Sequence, residues 1–315
     1  MTNDSKLNSS SSALWRVHGL MIFAFMLIAT SFLVMDKIAG EMDSSVLTLL
    51  RFGLAAILLL PIVLYRGLKT PNVKALLNYT LLGLLQAVYF NSMFEALRYT
   101  SSVNASTLFT AAPFVSAVLA FCVLRERLNT RMIIALFFSF GGALWVIMQG
   151  SIDNLLNMSL NKGDAIFLIS VLSFGIYTPL INYFYRGEPM LLMTFWTIVT
   201  GTFWLLLFAN FRVIDVAWDR TPSYVYWGIS YLAVFTTIVT FFITQFCSVI
   251  IGPTKMTAYT YLTPSLVLLM NWLIGAGGAN DHVVVGVALT LVASLVLQWD
   301  VSRIPFANET ETNLK

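Results

Sequence analysis

The amino-acid sequence predicts an all-α integral membrane protein of ten transmembrane helices, arranged as two inverted five-helix repeats. Three observations carry that prediction. Of the 315 residues, 58% are apolar and 10% charged, against about 25% charged in an ordinary soluble domain, so a water-facing surface cannot be assembled from this chain. Apolar runs of roughly 20 residues recur along it, the length an α-helix needs to cross a hydrocarbon core about 30 Å thick. The third observation is a repeat. Ala105-Ser106-Thr107-Leu108-Phe109-Thr110-Ala111-Ala112-Pro113 matches Met256-Thr257-Ala258-Tyr259-Thr260-Tyr261-Leu262-Thr263-Pro264 in character, and the two prolines stand 151 positions apart. Each segment is a helix start rich in small and hydroxylated residues that runs into proline. Coincidence of composition among apolar helices is the alternative reading.

Taken in order, residues 1–14, rich in Ser with two Asn, read as a disordered cytoplasmic tail. Spans follow at 17–39, 46–65, 75–97, 103–122 and 130–149, which make a first repeat over 15–150. The first run lacks a small-residue cleavage site and is closed by Asp36-Lys37, so it reads as a retained span rather than a signal peptide. A second repeat over 151–300 holds spans at 163–185, 190–209, 224–249, 253–276 and 283–299, and 301–315 is a second cytoplasmic tail. Five is an odd number, so the second copy enters the membrane inverted relative to the first. Twelve Lys and Arg fall in the segments on one side of these spans and five on the other. The richer side is the cytoplasmic one and holds both termini. Cys122 and Cys247 both lie within apolar runs and read as small buried hydrophobes.

Several short motifs sharpen the picture. Ala96-Leu97-Arg98-Tyr99-Thr100, then Ala105-Ser106, Pro113 and Glu126-Arg127-Leu128, with Arg51-Phe52, Gly163-Asp164 and Tyr261-Leu262-Thr263-Pro264, resemble the signature of EamA-type members of the drug/metabolite transporter superfamily. The resemblance covers nearly the whole chain outside the tails. It implies ten helices in two inverted repeats, both termini cytoplasmic, and movement of amino acids, other small metabolites or drugs, commonly outward. A bacterial cytoplasmic (inner) membrane is the expected location. The chain departs from the pattern where the second copy usually carries a Gly-Glu pair and here has Gly275-Ala276-Gly277-Gly278, so the carboxylate present as Glu126 in the first copy has no counterpart.

Ionisable side chains inside apolar spans cost about 2.5–3.5 kcal/mol on insertion scales and therefore mark candidate sites. Arg51 and Glu95 are the two here. Glu95 has three readings: a structural partner of Arg51 or of Arg98 one turn along, a proton carrier whose pKa burial raises, or, with Arg51, a contact for a charged substrate. Asn91 lies one turn from Glu95 on the same face. Trp196, Thr200 and Trp204 share a face of span seven, which suits either a stacking cavity wall or lipid contact. Tyr89, Ser173, Tyr177, Tyr259 and Asn271 are further substrate-lining candidates, chosen for polarity within apolar runs, with interhelical packing as the alternative for each. Pro113 and Pro264 are candidate paired hinges, because proline removes a backbone hydrogen bond.

The expected function is secondary transport of a small organic solute by alternating access. Amino acids or related metabolites suit an aromatic and hydroxylated cavity with few charges. Efflux of cationic or hydrophobic drugs is the alternative, and would use Glu95 as its anion. A solute-sensing or structural membrane protein is the rival from a different class. Protons are a candidate coupling ion, and the bilayer and a small-molecule substrate are the expected partners. No catalytic residue, metal or cofactor is expected, since the two histidines, His18 and His282, are predicted near opposite faces. No Gly-rich phosphate loop that would power a pump is present, and the net charge of +3 does not suggest nucleic acid.

Overall fold

Capping chemistry sets where the helices begin. Asp43, Asn72, Ser101 and Asn161 stand one residue ahead of a helix, and the side-chain oxygen of each accepts a backbone N–H one to three residues inside it. In a computed structural model, which describes residues 3–68, 70–126, 130–147, 161–210, 212–275 and a few positions between 284 and 292, the described elements are helical. They are α1 (Asn3–Ile38), α2 (Ser44–Tyr65), α3 (Val73–Ala96), α4 (Ser102–Phe109), α5 (Ala112–Leu124), α6 (Thr130–Ile147), α7 (Lys162–Phe184) and α8 (Met190–Ala209). Then come α9 (Ser223–Ala233), a π segment (Val234–Val239), α10 (Thr240–Ile251), α11 (Pro253–Ala258), a 3-10 turn (Tyr259–Leu262) and α12 (Thr263–Leu273).

Seven stretches among the described residues are long and apolar enough to cross a membrane: Trp15–Ile38, Ser44–Tyr65, Val73–Ala96, Ser102–Leu124, Lys162–Phe184, Met190–Ala209 and Ser223–Ile251. They coincide with spans one to four and six to eight of the sequence reading. The fifth span falls on α6, described in part. The ninth is divided among α11, the 3-10 turn and α12, so no single helix there reaches spanning length. The tenth lies mostly outside the described residues. One expectation changes: helix α1 starts at Asn3, so most of the segment read as a disordered tail is helical. Adding a turn to an existing helix avoids the nucleation cost that an isolated Ser-rich segment would meet.

Large apolar side chains cover the outside of the bundle, among them Ile57, Leu64, Phe137, Phe203 and Trp227. That surface suits hydrocarbon and is too extensive for water. Inside, helices of the two halves interleave: α3 packs on α7 and α8, α2 on α8 and α9, α5 on α7 and α11, α4 on α12, and α1 on α10 and α12. Small residues set the closest approaches. A Cβ placed on Gly83 of α3 would lie 2.3 Å from Thr200 Oγ1 and 2.6 Å from the backbone N of Gly201 on α8. Gly175 of α7 meets Val115 and the Ala112 carbonyl of α5 in the same way. In lipid, where burial of apolar area no longer favours helix over lipid contact, this backbone proximity and the packing it allows hold helices together.

Gly83→Ala should therefore lower the melting temperature of the detergent-solubilised protein, overpacking costing about 1–3 kcal/mol. Gly53→Ala, whose Cβ would meet only Thr202 Cγ2 at 3.8 Å, should leave it unchanged or raise it.

Candidate functional site

The centre of the bundle is organised by a cation. Arg51, on α2, is fully buried. Its Nε donates to Thr237 Oγ1 at 2.6 Å, and its Nη2 donates to the Thr236 carbonyl at 2.6 Å and to Thr236 Oγ1 at 3.0 Å. Both threonines belong to the π segment, where the wider winding disturbs the regular backbone ladder. Their hydroxyls in turn donate to the Leu232 carbonyl. The guanidinium carbon lies 3.9 Å from the centre of the Phe90 ring, a cation–π contact. Nη1 meets the Met35 sulfur at 3.4 Å. Among the described residues no carboxylate forms an ion pair with Arg51.

Directly beside this arrangement is a cavity of about 20 Å³ lined by Ile28, Ser31, Gln86, Tyr89, Phe90, Phe174, Thr236, Thr240, Phe241 and Thr244. By the same measure a single water needs about 10–15 Å³, so the chamber is closed around a volume far below that of an organic solute. Its walls are aromatic on one side, where Tyr89 lies tilted against Phe174 with ring centres 5.2 Å apart and Phe90 stacks on Phe241 at 5.8 Å. On the other side Thr236, Thr240 and Thr244 form a stripe at i, i+4 and i+8, with Thr240 and Thr244 each donating to the carbonyl one turn back. Gln86 is buried with its Oε1 unpartnered. Below it Tyr177 accepts from Gln245 Nε2 at 2.8 Å, and Gln245 Oε1 accepts from Thr194 at 2.5 Å.

The residues singled out from sequence separate into groups. Tyr89 lines the cavity, and Arg51 stands behind the wall that Thr236 and Phe90 make. The pairing of Glu95 with Arg51 does not form: Glu95 Oε2 lies 3.3 Å from Arg98 Nη1 and accepts from Ser44 Oγ at 2.7 Å, part exposed. Arg51 instead turns to neutral oxygens of the π segment. Asn91 Oδ1 is buried without a partner. Tyr177 holds Gln245, Ser173 is buried on the same helix, and Asn271 is half-buried near the end of α12. Tyr259 bonds to His18 and stacks on Phe25. The Trp196 stripe is a packing face: Thr200 donates to the Tyr79 carbonyl at 2.9 Å and Trp204 Nε1 to the Thr80 carbonyl at 3.1 Å, while Trp196 packs against the core. Gln86, Phe90, Phe241 and the threonine stripe went unnoticed in the sequence reading, although the fourfold spacing of Thr236, Thr240 and Thr244 was visible there.

Pro113 and Pro264 each stand at the second position of a helix that follows a break, between α4 and α5 and between α11 and α12. The half-helices meet pairwise, α4 on α12 and α5 on α11. At the second contact Thr254 Oγ1 donates to Glu126 Oε2 at 2.9 Å. Burial pushes the Glu126 carboxyl above its ordinary range, opposed by that hydrogen bond and by Lys255. A separate surface recess of about 600 Å³ lies between the α1–α2 and α8–α9 connections, where Arg212 pairs with Asp43 at 2.7 Å.

A helical bundle with a lipid-suited exterior and a small, closed polar and aromatic chamber at its centre defines a multi-pass integral membrane protein. The chain belongs to the EamA-like transporter family, which matches it twice, over residues 15–148 and 161–299. An uncharacterized transporter of Bacillus subtilis, YyaM, is 29% identical over 264 residues, covering 83% of this chain and 86% of that one. An uncharacterized transporter of Archaeoglobus fulgidus is 26% identical, covering 79% and 86%. A WAT1-related chloroplastic protein of Arabidopsis thaliana is 22% identical, covering 89% and 69%. One crystal structure shares the fold with a TM-score of 0.66 at 15% identity, covering 90% of this chain and 99% of its own. Family and relatives indicate a membrane transporter rather than an enzyme.

Two measurements follow from the site. Gln245→Leu strips partners from Tyr177 and Thr194 and should destabilise the solubilised protein by about 1–3 kcal/mol. Gln86→Leu removes an Oε1 acceptor that is already unpartnered and one side-chain contact to Tyr177, so its melting temperature should fall less. The Glu126 carboxyl holds its proton more tightly folded than unfolded, so its contribution is full below the unfolded pKa and is lost as pH rises through the folded one. The melting temperature of Glu126→Gln relative to wild type should thus climb as pH rises above the ordinary glutamate value of about 4.3, and a flat difference would show the carboxyl to be solvated.

Proposed function

We propose that this chain is a secondary transporter that exports small organic solutes, amino acids or related metabolites, by alternating access between two inverted five-helix repeats with both termini cytoplasmic. The observation that carries the reading is the closed chamber at the crossing of the two matched halves. Four supports surround it. The family matches two consecutive segments of similar length. The contacts between halves come in reciprocal pairs: α3 on α7 is answered by α1 on α10, and α5 on α7 by α12 on α1. Pro113 and Pro264 break equivalent spans, and each broken span contributes one half-helix to each closed end. The excess of Lys and Arg in one set of connections supports the orientation.

In this mechanism the half-helices act as gates and the prolines as hinges. Parting α5 from α11 opens the end held by Glu126 and Thr254, and parting α4 from α12 opens the other. Glu95, held by Arg98 and Ser44 outside the chamber wall, is poorly placed as the anion for a cationic drug. That placement favours metabolites over quaternary cations.

The experiment is untargeted metabolite profiling of medium and cells that express wild type, Gln86→Leu or no transporter at matched protein levels. One or a few organic solutes should accumulate in the medium with wild type alone. Folded, inserted protein that shifts no metabolite in either direction would remove the export reading.

A further inference from the structure

The strongest unexplained feature is the charge of Arg51. A guanidinium at the centre of a membrane protein is expensive unless an opposite charge is near. Here its neighbours are two threonines, a backbone carbonyl, a thioether and an aromatic ring, and among the described residues none is a carboxylate. Of its five N–H donors, those on Nε and Nη2 are directed at oxygen, whereas Nη1 meets the Met35 sulfur at 3.4 Å. Sulfur is a weak acceptor. One edge of the fork is therefore held by a group that an anionic oxygen would replace with gain.

The position matters as much as the charge. Thr236 and Phe90, which both touch Arg51, also line the central cavity. Arg51 thus stands one side chain behind the chamber wall. The opposite wall, with Phe174 and Tyr89, is aromatic. We propose that Arg51 is the recognition site for a carboxylate on the transported solute, reached when Thr236 and Phe90 part, and that the solute is a monoanion or zwitterion with an apolar body. This rests on the transporter reading above and narrows its substrate class. A single carboxylate fits because it matches one guanidinium charge, whereas a dianionic phosphate would leave a net buried negative charge.

The π segment makes such an exchange feasible. The Thr236 carbonyl also accepts from Thr240 Oγ1 at 3.0 Å, so it keeps a donor when Nη2 leaves. Removal of the Arg51 side chain likewise leaves that carbonyl bonded, which lets a variant at this position be tested as folded protein.

The test uses purified full-length protein and three probes that share one body: 3-phenylpropanoate, 3-phenylpropanamide and 3-phenylpropylamine. Binding is read by ligand-induced thermal shift and by titration calorimetry, on wild type, Arg51→Lys and Arg51→Gln, with size-exclusion profiles to establish folding. Wild type should bind the acid at least about tenfold more tightly than the amide or the amine, a charge-assisted hydrogen bond being worth that factor or more. Arg51→Lys should keep the order of preference with weaker binding, and Arg51→Gln should bind acid and amide alike. A purely structural arginine would weaken all three probes together and leave their order intact, which overturns the proposal. Preference of wild type for the amine or the amide overturns it too and leaves transport standing. Binding of none of the three likewise counts against it, while the profiling experiment judges transport separately.

Discussion

A buried guanidinium that finds no carboxylate has to be surrounded by dipoles, and the middle of this bundle is built to provide them. Arg51 takes the hydroxyl and carbonyl oxygens of Thr236 and Thr237 and the face of Phe90. Those oxygens are available because the helix from Ser223 to Ile251 widens into a π turn over Val234–Val239. A regular α-helix would carry the two threonines round to different directions and bring fewer of their oxygens within reach of one side chain. The two features suit each other: the π turn offers oxygens to a donor, and the charge needs acceptors that do not neutralise it. The contact joins α2 of the first family match to a helix of the second, so the two halves are tied at the point where the chamber lies.

Around that centre the packing is deliberately close. Gly83 brings α3 against the backbone of α8, and Gly175 brings α7 against α5. Thr200 and Trp204 donate across the first of these crossings to carbonyls of α3. The crossings with small residues hold a fixed geometry, since a close-packed backbone contact cannot slide without steric cost. The broken spans are the opposite kind of element. Between α4 and α5, and between α11 and α12, the helical ladder is interrupted beside proline, so bending there costs fewer hydrogen bonds than bending elsewhere.

Much of this architecture was legible in the sequence because it depends on composition and length. Seven of the expected spans reappear within a few residues of their predicted limits, since the stretch of apolar residues that crosses a bilayer is bounded by charge, proline and caps such as Asp43 and Asn72. The two prolines were legible for the same reason. The chamber was less so. Its lining depends on which side of each helix faces inward, and in lipid the outward face is as apolar as the inward one, so periodicity carries little contrast. That is why the Trp196, Thr200 and Trp204 stripe drew attention while the Thr236, Thr240 and Thr244 stripe, at the same spacing, did not. The partner of Arg51 was missed on different grounds: opposite charge suggested Glu95, and no sequence rule announces a π turn whose oxygens accept a guanidinium.

On the alternating-access reading, the arrangement of gates follows from where the breaks lie. Each broken span sends one half toward each end of the bundle, so α5 with α11 closes one end and α4 with α12 the other. The ends differ in chemistry. The α5–α11 contact includes a polar bond, Thr254 to Glu126, beside Lys255, and the second copy has Gly275-Ala276-Gly277-Gly278, with no carboxylate, where the first has Glu126. One end is therefore held by a hydrogen bond between its two half-helices that depends on the protonation and hydration of a carboxyl, while at the other the Asp36 carboxyl ties the start of α4, through the Ser102 N–H at 3.3 Å, to α1 rather than to α12. Two gates that share hinges but differ in the strength of their latches do not open with equal ease. On the alternating-access reading, that inequality sets which face the empty chamber favours, and a solute that binds at the centre has to supply the difference before the other gate can part.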